Sequence, residues 1–179
     1  MRYACAVTAL VAAALVCAGP AAARTGTDTF AGSCRFSGAV TYPATPLTAE
    51  PQRIRMLVHL AGRCDGTLES GDRAPVPVAD APATVMVESD GTSSCAVSEQ
   101  AGRGRLTVLG RTISFGFTEA RTGPVATPLL TGAAGGSAVA VARISDRADA
   151  PTLVERCADG GLHDVPIDAT LVTSPVLSG

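Results

Sequence analysis

The stretch QRIRMLVHLAGRC, residues 52–64, constrains the fold more than any other part of the chain. Ile54, Met56, Val58 and Leu60 alternate with Arg53, Arg55, His59 and Arg63, and only Leu57 interrupts the pattern. A period of two places successive side chains on opposite faces of an extended strand, so this segment has one apolar and one basic face. A strand of that kind must bury its apolar face against other strands.

The same signature recurs along the chain, while helical periodicity is almost absent after the first two dozen residues. β-branched runs bounded by Gly, Pro and Asp predict strands near 29–41, 52–63, 83–88, 94–99, 103–109, 112–119, 124–131, 137–144, 152–157 and 163–172. Gly110-Arg111 reads as the centre of a two-residue II′ hairpin. GDRAPVPVADAPAT, residues 71–84, reads as an exposed connection, because its three prolines do not suit a central strand. Many short, consecutive, evenly spaced strands predict an all-β fold: a single antiparallel β-barrel of about eight to ten strands, with a two-sheet β-sandwich as the alternative.

Residues 1–23 carry a secretory signal. Arg2 precedes a mostly apolar run, Ala4 to Ala18, followed by Pro20 and the small residues Ala21-Ala22-Ala23, so cleavage is expected after Ala23. The run is short for a membrane span, and no later stretch is long and apolar enough to provide one. Residues 24–179 suit one domain, which at this size can bury about 70% of its unfolded surface. The expected location is therefore secreted and extracellular.

Cys5 and Cys17 leave with the signal, and Cys34, Cys64, Cys95 and Cys157 remain. An even number of cysteines in an exported chain predicts two disulfides. Four cysteines allow three connectivities, and parity favours one. Phe30, Gly32, Cys34, Phe36 and Val40 share one side of a strand, and Ile54 to Leu60 share a side with Cys64 on the next. Cys34 is thus expected to join Cys64, leaving Cys95 for Cys157. Each bridge is worth roughly 4 kcal/mol on the chain-entropy account.

Charge excludes some functions. The chain has 16 Asp and Glu against 14 arginines, no lysine and a formal net charge of −2. That balance gives no electrostatic footprint for nucleic acid or an anionic membrane. No cysteine spacing suits a zinc knuckle, two histidines cannot build a His-rich metal site, and no cofactor motif is present.

The candidate polar site is the outer row Arg53, Arg55, His59 and Arg63, with Arg35 on the preceding strand beside it. Arginine forks there suit a carboxylate or phosphate. A solvated outer face paired with acidic neighbours is the simpler expectation. His163 has Asp164 and Asp168 nearby, but adjacent strand residues point to opposite faces, which works against a dyad. Ser114 in TISFGF lacks the glycine and following helix of a nucleophile elbow, and Ser137 fails for the same structural reason. The glycines of LLTGAAGGSAVAVARIS, residues 129–145, lead into a β-type run rather than a helix and suit a hairpin better than a phosphate loop.

GLHDVPIDATLVTSPVLSG (161–179), with Cys157 upstream and GGSAVAVARIS (135–145) before it, resembles small exported proteins of high-GC Gram-positive bacteria whose function is unassigned. The resemblance implies export and an all-β fold, and carries no activity or site residues. The sequence points to a non-catalytic binding or interaction module outside the cell, with a cell-envelope component, an extracellular protein or a small ligand as partner. The alternatives are a small-molecule-binding barrel for an apolar or anionic ligand, with small Ala and Gly side chains leaving room inside, and a small extracellular hydrolase.

Overall fold

The computed structural model describes residues 27–71 and 73–179; the signal segment, with Cys5 and Cys17, lies outside the described residues. The elements are β1 (Asp28–Thr41), β2 (Gln52–Ser70), β3 (Val76–Ser93), β4 (Val97–Val108), β5 (Arg111–Thr122), β6 (Val125–Ala126), β7 (Leu129–Gly132), β8 (Gly135–Ile144), α1 (Ala150–Asp159) and β9 (Asp164–Ser178). Neighbouring strands pair antiparallel in the order β1-β2-β3-β4-β5-β7-β8-β9, and β9 returns to pair with β1. This is a closed eight-stranded up-and-down barrel, and β6 is a short extra partner of β8. Closure leaves no long strand edge unpaired.

Alternation in β2 works as its sequence requires. Ile54, Met56, Val58, Leu60 and Cys64 are buried in the barrel, and Arg53, Arg55, His59 and Arg63 face outward, exposed. Both expected disulfides form, Cys34–Cys64 as parity favours and Cys95–Cys157 as the remaining pair. The first joins residues directly opposite each other in the β1–β2 register.

Several expected boundaries move, each for a physical reason. The 152–157 strand is instead helix α1. Asp149 caps it by accepting from the Thr152 N–H, Pro151 lies in its first turn, and Leu153 and Cys157, four residues apart, form its buried face. The segments 94–99 and 103–109 are one strand, β4, running through Gly102 and Gly104. A Cβ at Gly102, in the expected gap, would collide with the Glu88 backbone of β3, so this glycine admits a neighbouring strand rather than ending its own, and Gly104 likewise makes room for the Phe115 ring.

The proline-rich 71–84 segment is mostly strand. β3 starts at Val76, but its pairing with β4 begins only at Ala83. Pro77 and Pro82 therefore sit where β3 has β2 on one side and no β4 partner on the other, the edge-like position that proline tolerates. The hairpin after β4 is centred on Leu109-Gly110, not Gly110-Arg111. Both residues have positive φ (49° and 73°), the I′ rather than the II′ geometry, and Val108 pairs with Arg111. The expected 124–131 strand is broken by Thr127-Pro128 into β6 and β7. The glycine-rich stretch is the β7–β8 hairpin, as its β-type continuation implies.

The barrel interior divides into two halves. At one end Phe30, the Cys34–Cys64 bridge, Leu68, Val78, Leu106, Val108, Ile113, Phe115 and Leu177 are all at most 4% exposed. At the other end the segment after β1 (residues 42–51), the β3–β4 turn and α1 gather. Leu47 and Leu162 exchange backbone hydrogen bonds there, and the Cys95–Cys157 bridge ties α1 to the β3–β4 turn.

Candidate functional site

The second half of the barrel is hollow. A cavity of about 470 Å³ occupies it, within the ~300–1,000 Å³ typical of small-molecule sites. Its wall is built from inward positions of nearly every strand: Phe36 and Val40 of β1, Met56, Val58 and Leu60 of β2, Val85 and Val87 of β3, Phe117 of β5, Leu130 of β7 and Leu171 of β9. Space opens because the facing residues on the other arc are small, with Ala126, Ala140, Ala142 and Ala169 lining it. Leu153 and Cys157 of α1 close the end. Among the lining residues, Pro124, Arg143 and Val154 are exposed, so the cavity meets solvent between the β5–β6 turn, the end of β8 and α1.

One polar cluster enters this apolar space. The inward parity of β5 runs Ile113, Phe115, Phe117 and then continues into Glu119 and Arg121. Their side chains are only 10% and 14% exposed, and Arg121 Nε lies 3.7 Å from Glu119 Oε1. Arg121 Nη1 donates to the carbonyl oxygens of Gly123 (2.6 Å) and Cys95 (3.4 Å), and Nη2 to that of Ser94 (3.0 Å). The arginine thereby fixes two turns that frame the cavity.

Burial raises the Glu119 pKa above the ordinary carboxylate value, with the Ser98 hydrogen bond and Arg121 opposing that rise. Ser98 continues into a buried relay. Its hydroxyl lies 3.0 Å from Ser93 Oγ, Gln100 Nε2 donates to Ser93 (2.8 Å), and Ser89 donates to Gln100 Oε1 (3.1 Å). Tyr42 also lines the cavity. Desolvation pushes its phenol up from 10.0 to about 12, partly countered by Arg121, with Glu119 adding to it. Its hydroxyl makes no hydrogen bond among the described residues, and since no fully buried side-chain oxygen or nitrogen there lacks a partner, that hydroxyl is open to the cavity with a donor to offer.

The outer basic row lies elsewhere. Arg53, Arg55, His59 and Arg63 project from the outside of β2 and do not line the cavity. Arg55 pairs with Glu88, and Arg63 pairs with Asp80 at 3.2 Å, all four largely exposed. The row is thus partly neutralised by its neighbours, and exposed pairs of this kind contribute little. Arg103 and Arg105 of β4 and Glu88 and Asp90 of β3 are exposed on the outer surface too. Over β2, β3 and β4 the outer wall is therefore charged, unlike the apolar band of a lipid-facing surface. Among the described residues, no helix is long and apolar enough to cross a membrane.

The histidine region does not assemble a hydrolytic site. His163 is exposed with Nδ1 3.0 Å from the Tyr42 carbonyl oxygen, while Asp164 accepts from Thr41 and Asp168 from Ser37. The Ser37 hydroxyl, and after it Ser145, hold the Asp168 carboxyl below its ordinary value. Ser114 is exposed on the outside of β5 and Ser137 donates to the Ser174 carbonyl oxygen, so neither meets a histidine. Among the described residues, no group of three or more His, Cys, Asp or Glu gathers to hold a metal ion.

Fold and site together define a class: a closed antiparallel barrel, stapled by two disulfides, with an apolar cavity that opens beside a buried ion pair. Comparison of the chain with protein-family models, curated proteins and solved structures finds no match to any of them.

Sequence reasoning missed Tyr42, Glu119 and Arg121 as site residues. The signal available was parity: in TISFGFTEAR, two charges occupy positions that the preceding residues assign to the interior.

Proposed function

We propose that the protein is a secreted binding barrel that holds a small, largely apolar ligand in the hollow half of its interior. The observation that carries this reading is the 470 Å³ cavity walled by aliphatic and aromatic side chains. Burying apolar ligand surface there gains roughly 25 cal/mol per Å² before the costs of association are subtracted. The outer basic row supports an anion-binding alternative less well, since two of its arginines already pair with carboxylates. Export is supported by the apolar leader with its small-residue cleavage motif and by two disulfides, which persist in oxidising compartments.

A neutral fluorescent probe, N-phenyl-1-naphthylamine, tests the reading directly. Its emission should rise on adding the protein, and Ala140→Leu, which extends a side chain into the cavity, should weaken its binding. Equal binding by the wild type and that variant would move the probe out of the cavity and remove the proposal's support. Intact mass of the protein from culture medium should show loss of residues 1–23 and four cysteines unreactive to alkylation without reduction. Retention of the leader or free thiols would refute secretion in this form.

A second reading, docking to another macromolecule outside the cell, is favoured by one observation. Leu129, Val139 and Val172 are each more than 40% exposed and lie side by side in register across β7, β8 and β9. Val139→Asp would abolish such docking and leave probe binding unchanged.

A further inference from the structure

The polar cluster at the cavity entrance specifies what one end of the ligand must look like, and this step rests on the cavity reading above. Arg121 and Glu119 form a pair whose charges cancel, and the guanidinium is further committed to the carbonyl oxygens of Ser94, Cys95 and Gly123. A carboxylate head beside this pair would set two anions against one cation in apolar surroundings. An ammonium head would do the reverse. Either excess charge would lack a partner in the cavity, since the third charged side chain lining it, Arg143, is already paired with Asp146 at 3.0 Å, and an unpaired charge beside apolar walls is costly.

An uncharged hydroxyl meets a different situation. It needs one acceptor and one donor. Glu119 has acceptor capacity beyond its Ser98 and Arg121 contacts, and Tyr42 lines the same cavity with a donor that no described residue takes up. Phe36, Leu60, Val85 and Phe117 offer only apolar surface deeper in the barrel, so the remainder of the ligand must be hydrocarbon.

We propose that the ligand is an uncharged amphiphile, a hydrocarbon chain or ring system ending in a hydroxyl group, bound with that hydroxyl between Tyr42 and Glu119 and its apolar body in the barrel. The entrance between Pro124, Arg143 and Val154 places the polar end nearest solvent, which suits entry tail-first.

The test is displacement of N-phenyl-1-naphthylamine by four ligands that share a chain and differ at the end: 1-dodecanol, dodecane, dodecanoate and dodecyltrimethylammonium. 1-Dodecanol should compete about tenfold better than each of the others, the difference that one hydrogen bond to a charged group supplies. Tyr42→Phe and Glu119→Gln should each shrink that advantage, and Tyr42→Phe should leave dodecane competition unchanged because the ring remains. Equal competition by all four, or preference for either ion, would overturn the head-group assignment while leaving the apolar cavity as a binding site. Failure of the dye to bind, and of every ligand to perturb the protein, would overturn the cavity reading and this inference with it.

Discussion

The two halves of the barrel are built from the same strands and the same alternation, yet one is solid and the other hollow. In the solid half, Phe30, Leu68, Leu106, Ile113, Phe115 and Leu177 meet from around the circumference, with the Cys34–Cys64 bridge among them. In the hollow half, large residues on β1, β2 and β3 share the wall with alanines on β6, β8 and β9, and their volumes do not sum to fill the barrel. Burial alone does not separate the halves, since Leu60 and Leu106 are both buried. What separates them is whether an inward side chain finds another side chain opposite. The solid half supplies stability that the hollow half does not need to provide, and the unfilled half is available to a ligand.

The strongest test of that contrast is the same truncation made in both halves. Leu106→Ala removes atoms from a fully packed site and should cost about 4–5 kcal/mol, the upper part of the range for buried leucines. Leu60→Ala borders existing space and should cost about 2–3 kcal/mol, the lower part. Urea denaturation with unchanged m-values would measure both. Equal losses would mean that the cavity wall is as tightly packed as the core, and the division into halves would fail.

The two disulfides sharpen the comparison. Their sequence separations, 30 and 62, give each roughly 4 kcal/mol on the chain-entropy account. They hold different things. Cys34–Cys64 joins paired strands of the solid half, so replacing both cysteines with alanine should lower stability throughout the barrel. Cys95–Cys157 holds α1 over the cavity, so its removal should release α1 first and weaken ligand retention. Amide hydrogen exchange reads the difference: residues 150–162 should lose protection selectively in the second case. A uniform loss from both variants would show that α1 is not a separable cap.

The division between halves was only partly legible in the sequence. Alternation along 52–64 gave the orientation of β2, and parity gave the Cys34–Cys64 pair, because each depends on local spacing alone; Cys95–Cys157 followed only by elimination. The α1 capping residue Asp149, Pro151 and the Leu153/Cys157 pair were present, but a short apolar run fits strand and helix alike when read without its cap. Gly102 fell in an expected gap because its purpose lies on another strand, in the close approach of the β3 backbone at Glu88 and Ser89. The cavity is harder still to read. Its existence depends on which side chains the closed sheet gathers at one level, and Ala140 and Ala169 are unremarkable until they line the same space as Leu60 and Val85. Glu119 and Arg121 were accessible in principle, through their inward parity.

A smaller effect comes from enlarging an alanine in each half of one strand. Ala138 of β8 is fully buried against packed neighbours, and Ala138→Leu should cost about 1–3 kcal/mol through overpacking. Ala140, two residues on, lines the cavity, and Ala140→Leu should leave stability unchanged or raise it by up to about 1 kcal/mol while displacing the probe. Destabilisation by both would indicate that the space beside Ala140 is not open to a side chain.

The subtlest expectation concerns Tyr42, which shares the chain with one other tyrosine, Tyr3 in the proposed leader, and with no tryptophan to obscure its spectrum. Its phenol ordinarily ionises near 10.0, and burial beside the cavity pushes this up to about 12. The sign of the linkage follows. Between those two values the folded chain keeps a proton that the unfolded chain has lost, so stability should fall as pH rises through that window. Phenolate absorbance followed against pH should therefore stay low past 10 and rise near 12 or together with unfolding, whichever comes first. A full titration near 10 with the fold intact would place the hydroxyl in open water. Because desolvation is the main cause of the shift, an apolar ligand that displaces water from the cavity should push the ionisation higher still, whereas a ligand bound to the outer face of β2 would leave it unmoved.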